Sequence, residues 1–180
     1  MSTVLETDRL LVREWSHDDA DRLLDTYSRP DVVRFLGAAP RLMDSLDAAR
    51  DRIDRALARN GEDRAAGLPT GWWAVEVKGT GAVAGSVALV PIDGSRDPGA
   101  PVEVAWTLHP DCQGNGYATE SARAVLQRGH GAGITEILAL TDPANTPSQA
   151  VCRRLGLALT GTSEQFYGKP LLVWVSRAAA

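Results

Sequence analysis

Cysteine is nearly absent from this chain. Cys112 and Cys152 are the two present, with no CxxC spacing, which excludes a disulfide framework. The three histidines, His17, His109 and His130, are scattered without metal-ligand spacing, so no metal is expected. Positive charge is also in deficit: Lys+Arg 19 against Asp+Glu 23 leaves a net charge of −4. Proteins that grip nucleic acid through its backbone are normally basic, so general nucleic-acid binding is not expected, although a local basic patch is compatible with this balance. No apolar run approaches the roughly 18 residues that would suggest a membrane span. The opening MSTVLETDRL lacks the basic-then-apolar layout of a signal peptide, and the expected location is the cytoplasm.

What is there is ordinary globular material. The 180 residues are 44% hydrophobic and 23% charged, and no repeat or linker divides them. The expectation is one domain over 1–180, with a core from about 5 to 175 and a frayed tail at 176–180. Residues 9–15 alternate as a strand; Ser16 and Asp19 then form a capping-box start, and Ala20, Leu23, Leu24 and Tyr27 make a helical stripe. A second helix is predicted over about 44–59, ended by Asn60-Gly61 in a left-handed turn, with loop at 61–69. Strands at 72–78 and 83–92 flank GTGA as a hairpin, the stretch 93–101 reads as a surface loop, and 102–108 is another strand. A helix over 117–127 is broken by glycines at 129–133, and an apolar strand follows at 134–141. The last helix starts with Thr146 as cap, Pro147 and Gln149 in the first turn, and Gly156 past its end. Strands at 157–160 and 171–175 close the chain. This order of seven strands and four helices is mixed α/β (α+β), and the strand–loop–helix–strand unit over 102–141 demands at least one parallel pair.

The sharpest local signal is Gln113-Gly114-Asn115-Gly116-Tyr117-Ala118, set between a strand and a helix. Backbone N–H groups at such a helix start can bind phosphate, and the two glycines permit close approach. A tight turn that merely caps the helix fits the same spacing. No GK[ST] follows, which excludes a P-loop, and the third glycine of the dinucleotide fingerprint is missing. Gly79-Thr80-Gly81 with Gly85 is a decoy, because a strand follows it rather than a helix.

The stretch VEVAWTLHPDCQGNGYATESARAVL resembles the signature region of the GCN5-related N-acetyltransferases (GNAT), whose Gln/Arg-x-x-Gly-x-Gly/Ala pattern is matched by Gln113, Gly116 and Ala118. The opening LETDRLLVREWSHDDADRLL is similar to that of the RimJ/RimL branch, as are Asn145, Ser148 and the RRLGL segment. The resemblance spans about 5–175. It implies a central mixed seven-stranded sheet with two splayed parallel strands, flanked by about four helices. It also implies acetyl-CoA as co-substrate, its pantetheine arm against the exposed backbone of Trp106, Thr107 and Leu108 and its diphosphate on Gln113, Gly114, Asn115, Gly116, Tyr117 and Ala118. Thr119 would add a hydroxyl, and Asn145 would bond the arm from the far side. The partner would be an amine acceptor, either a protein N-terminus or a small molecule, and a homodimer is left open.

Direct transfer of this kind needs an amine freed of its proton, a donor to the tetrahedral oxyanion, and a weak acid for the thiolate. The resemblance assigns the oxyanion donor to a backbone N–H near Leu108 and the acid to Ser148, which is equally an ordinary first-turn helix serine. Glu103 is the candidate base, through a water; the competing reading is an exposed acid. The superfamily's tyrosine after the asparagine is replaced by Cys152, which as a small buried residue needs no role. The branch's glutamate falls near Tyr167, with Glu164 close by. Glu120 suits the helix dipole and is read as structural, and His109 as an exposed loop residue. Of Trp72 and Trp73, which face opposite ways, one is expected in the core and the other at the acceptor cleft. Two other classes stay open: a CoA-binding module without catalysis, and, against the motif evidence, an NAD or ATP enzyme.

Overall fold

A computed structural model describes residues 2–92, 94 and 99–178. Its eight strands form one sheet in the order β1-β2-β3-β4-β5-β6-β8-β7. They are β1 Thr3–Glu6, β2 Leu10–Arg13, β3 Gly71–Val77, β4 Val83–Pro91, β5 Val102–Leu108, β6 Glu136–Thr141, β7 Ala158–Ser163 and β8 Leu171–Arg177. The helices are α1 Ala20–Tyr27, α2 Pro30–Val33, α3 Leu46–Ala65, α4 Tyr117–Gly131 and α5 Thr146–Leu155. Every neighbouring pair of strands is antiparallel except β5 and β6. The mixed α/β expectation holds, with one more strand and one more helix. Both additions, TVLE and PDVV, are too short to display a period.

Helices cover both faces of the sheet. Leu10, Trp73, Val75, Val87 and Leu89 pack with Val125 and Leu126 of α4. On the other face Leu23 and Tyr27 of α1 and Ile53 of α3 pack with Ala74 and Val83. The alternation along β3 thus sends Trp73 into the larger core and Trp72 to the opposite face, where it stacks on Trp15 at 4.8 Å. The capping box forms as expected, and Asp19 also holds buried Arg13 through two hydrogen bonds of 2.7 and 2.8 Å.

Four boundaries move for physical reasons. Asn60 does not end α3. Its Nδ2 donates to Glu14 Oε2 at 2.7 Å and its Oδ1 accepts from Trp72 N at 3.0 Å, so the helix continues along the edge of β3 to Ala65. Gly129 does not break α4. A Cβ there would lie 2.7 Å from Ile137 Cδ1, so glycine lets the helix lie flat on the sheet and reach Gly131. Asn145, not Thr146, caps α5, accepting from Ser148 N at 3.2 Å, while Gln149 Nε2 turns back to the Pro143 carbonyl at 2.8 Å. Ser176 and Arg177 do not fray; they pair with Ile137 and Glu136. The GTGA hairpin is present, closed by Val77 N on Ala82 O at 2.9 Å. Of the expected 93–101 loop, residues 93 and 95–98 lie outside the described residues, as do 179 and 180 of the expected tail. No helix among the described residues is long and apolar enough to cross a membrane.

Candidate active site

The site begins where β5 and β6 part. The two strands meet through one bridging pair, Glu103 and Leu138, and then diverge. His109 N donates to Ala84 O at 2.9 Å, and the β4–β5 register runs without a shift. Alternate residues of an antiparallel pair exchange bonds, so the phase is set: the peptide groups of Val104, Trp106 and Leu108 turn away from β4. Past the bridge there is no β6 to receive them. The N–H groups of Trp106 and Leu108 therefore face the gap, while the Leu108 carbonyl accepts from Gln113 Nε2 at 3.3 Å. The gap is a cleft of about 110 Å³, lined by 103–106 of β5, 139–142 on and after β6, Asn145 and Ser148 of α5, the 35–37 segment, Tyr167 and Lys169.

The turn between β5 and α4 is built to leave its donors open. Gly116 is the N-cap of α4 at φ 81° and supplies no side chain to the first-turn N–H groups, which have no partner within a helix. Gly114 also has positive φ, at 79°. Asn115 Nδ2 is spent on the Cys112 and Gln113 carbonyls. Glu120 would repel an anion here, but it is neutralised. Arg9 contacts its carboxylate at 2.6 Å, Thr7 Oγ1 donates to it at 2.6 Å, and Arg9 N donates at 3.0 Å. Burial raises the Glu120 pKa, and these bonds outweigh it and leave it lowered. Arg9 Nη1 also donates to the Asn115 carbonyl at 3.0 Å, so the N-terminal segment clamps the turn. The structural reading of Glu120 holds, through Arg9 and Thr7 as well as the helix dipole. At Thr119 the hydroxyl lies 3.2 Å from Arg154 Nε.

Ser148 and Glu103 both line the cleft, and so does Asn145. Asn145 uses its Oδ1 on the helix cap. Glu103 is not exposed; it is 7% accessible, and the Tyr167 hydroxyl donates to its Oε1. Burial raises the Glu103 pKa, against the lowering effect of the Tyr167 bond. Glu164 is exposed and outside the cleft. Cys152 is fully buried in the core, where burial pushes its thiol up to about 12. His109 is not an exposed loop residue. It is 4% accessible and held between Asp25 at 2.9 Å and Asp111 at 2.7 Å, which ties α1 to the exit of β5. Trp72 does not reach the cleft; it lines a separate cavity with Arg52, Arg55 and Arg59 of α3.

Sequence reasoning missed the 35–37 segment, Lys169, and Thr7 and Arg9. Phe35 and Leu36 in an otherwise polar connection are a usable hint, because apolar loop residues need a surface to meet. Arg9 and Glu120 carry no local signal, since they meet across 111 positions.

Residues 9–158 match the family model for the acetyltransferase (GNAT) domain. The chain is 26% identical over 167 residues to the uncharacterized N-acetyltransferase YoaA of Bacillus subtilis (strain 168), covering 92% of this chain and 89% of that protein. The fold is similar to the ribosomal-protein-S5-alanine acetyltransferase of Vibrio fischeri, with TM-score 0.74, 17% identity, and 97% and 96% of the two chains covered. It is also similar to the microcin C7 self immunity acetyltransferase MccE in complex with acetyl-CoA and AMP, with TM-score 0.76, 16% identity, and 95% and 93% covered. An open-amide turn, a parallel pair that splays after one bridge, and a family match over most of the length agree: this chain is an acetyltransferase and belongs to the GNAT family.

Proposed function

We propose that this chain transfers the acetyl group of acetyl-CoA to the N-terminal amine of a protein. The observation that carries the reading is the gap itself, where the unpaired N–H of Trp106 faces a cleft closed by Asn145 and Ser148 and that of Leu108 opens further along the same strand edge. A pantetheine arm presents amides of its own and can pair with those groups as a missing strand would. The open N–H groups over 114–119 suit its diphosphate, with Thr119 and Arg154 beside them.

The other roles follow from position. The Trp106 N–H, on the cleft wall with Glu103, is the donor for the oxyanion, and the Leu108 N–H pairs with the arm. Ser148 supplies a proton to the thiolate; among the described residues its hydroxyl makes no protein hydrogen bond that would divert it. A thiolate of this type has a pKa near 8.5, so a weak donor serves. Glu103, buried at the root of the gap, takes the proton from the incoming ammonium.

A protein N-terminus as acceptor is supported by the RimJ/RimL-like opening and Asn145 segments and by the likeness to the S5-alanine enzyme. A small amine is the second reading, favoured by a cleft of only about 110 Å³. The test is thiol release from acetyl-CoA with a panel of N-terminal peptides and small amines. Turnover of peptides is expected; turnover of small amines alone overturns the acceptor assignment, and no turnover at all overturns the reading.

A further inference from the structure

Tyr167 combines three features that the reaction, as assigned so far, does not use. It lies in the connection between β7 and β8 and lines the cleft. Among the described residues it is the non-glycine residue with positive φ, at 57°. A bulky aromatic in that region is strained, and such strain persists where the surroundings over-determine it. Its hydroxyl ends on Glu103, which sits 64 positions away on β5.

We propose that Tyr167 is the positioning residue for Glu103, holding one carboxylate oxygen so that the other meets the ammonium of the acceptor. The inference rests on the acetyl-transfer reading and deepens it. In the step concerned, an N–H bond of the ammonium breaks, its electron pair stays on nitrogen, and an O–H bond forms on Glu103. The amine becomes a nucleophile and the carboxylate becomes a neutral acid.

The surroundings of Glu103 leave few other groups to set its proton affinity. Across β4 it faces Val90, and across β6 Leu138. Asp142 after β6, Lys169 beside β8, and Ser148 on α5 share the cleft wall, and the 35–37 segment carries no titratable group. The influences on Glu103 are burial, which raises its pKa, and the Tyr167 hydroxyl, which lowers it. The bond also leaves its mark on the phenol, whose pKa is raised by burial first and then by the Glu103 charge.

Tyr167→Phe removes the hydroxyl and keeps the ring. A hydrogen bond to a charged group corresponds to about one pH unit or more of carboxylate titration. The Glu103 carboxyl carbon is followed by ¹³C NMR, assigned by its loss in Glu103→Gln. Its midpoint is expected to rise by about one unit in Tyr167→Phe. The acid limb of kcat/KM, measured with the best amine of the panel, should rise with it, with KM for acetyl-CoA unchanged. Below that limb the variant loses about tenfold in kcat/KM. Should Tyr167→Phe fail to fold, 3-fluorotyrosine at position 167 keeps the ring and a more strongly donating hydroxyl, and a Glu103 midpoint that does not fall there overturns the contact. In Tyr167→Phe an unmoved or lowered midpoint overturns the contact, and a moved midpoint without a moved limb overturns its catalytic use. Failure of the unaltered protein to turn over any amine overturns the acetyl-transfer reading and that use together, while the titration still decides the contact.

Discussion

Gly85 offers the sharpest test of how the cleft is framed. It sits at an irregularity in the β3–β4 register, directly opposite Leu108 on β5. Its φ is 153°, and a Cβ built there would lie 2.0 Å from the Thr107 carbonyl oxygen and 2.8 Å from Leu108 Cα. Gly85→Ala must therefore push β5 away by more than an ångström, since ordinary contact begins near 3.4 Å. That displacement breaks the bond from His109 N to Ala84 O, now 2.9 Å, and weakens the neighbouring pair. Two backbone bonds at about 1 kcal/mol each, with about 1–2 kcal/mol of backbone strain, come to about 3–4 kcal/mol. For a chain of this size that lowers Tm by about 6–16 °C. The control is Gly81→Ala: φ is 69° there, but nothing lies within 4 Å, so backbone strain alone remains. Calorimetric Tm and titration with acetyl-CoA are the assays. Because the N–H of Leu108 is proposed to pair with the pantetheine arm, Gly85→Ala should also weaken acetyl-CoA binding about tenfold, and Gly81→Ala should leave it unchanged. Equal Tm losses for the two variants would refute the close approach of β4 to β5.

Three further outcomes are expected. Gly116→Val should weaken acetyl-CoA binding at least tenfold in calorimetry, because φ 81° disfavours a β-branched residue and the turn must re-form. Ser148→Ala should lower kcat about tenfold or more with little change in acetyl-CoA affinity; equal kcat removes it from proton delivery. Glu103→Gln should raise Tm near neutral pH and not at acid pH. The raised folded-state pKa makes Glu103 stabilising below its unfolded value of 4.5, and that contribution is lost as pH rises through the folded value. Parallel Tm–pH curves for the two proteins would contradict this.

Local pattern carried much of the architecture. Capping residues at Ser16, the stripe through Ala20, Leu23 and Tyr27, and the turn at 79–82 are written within a few residues of one another, where period and turn chemistry act. The glycine turn at 113–118 was legible for the same reason: its main-chain N–H groups are left open by Gly114 and Gly116, which are neighbours in sequence. Helix ends at Asn60 and Gly129 were misread because distant partners, Glu14, Trp72 and Ile137, override the local preference.

The divergence of β5 from β6 rests on packing across the sheet, and no window of sequence contains it. The clamp of Arg9 on Glu120, the burial of His109 and the reach of Tyr167 to Glu103 have the same origin. Sequence by itself determined which backbone could be open and which side chains carry protons. Tertiary structure decided which of them meet, because charge, burial and hydrogen bonding act through space between residues far apart along the chain.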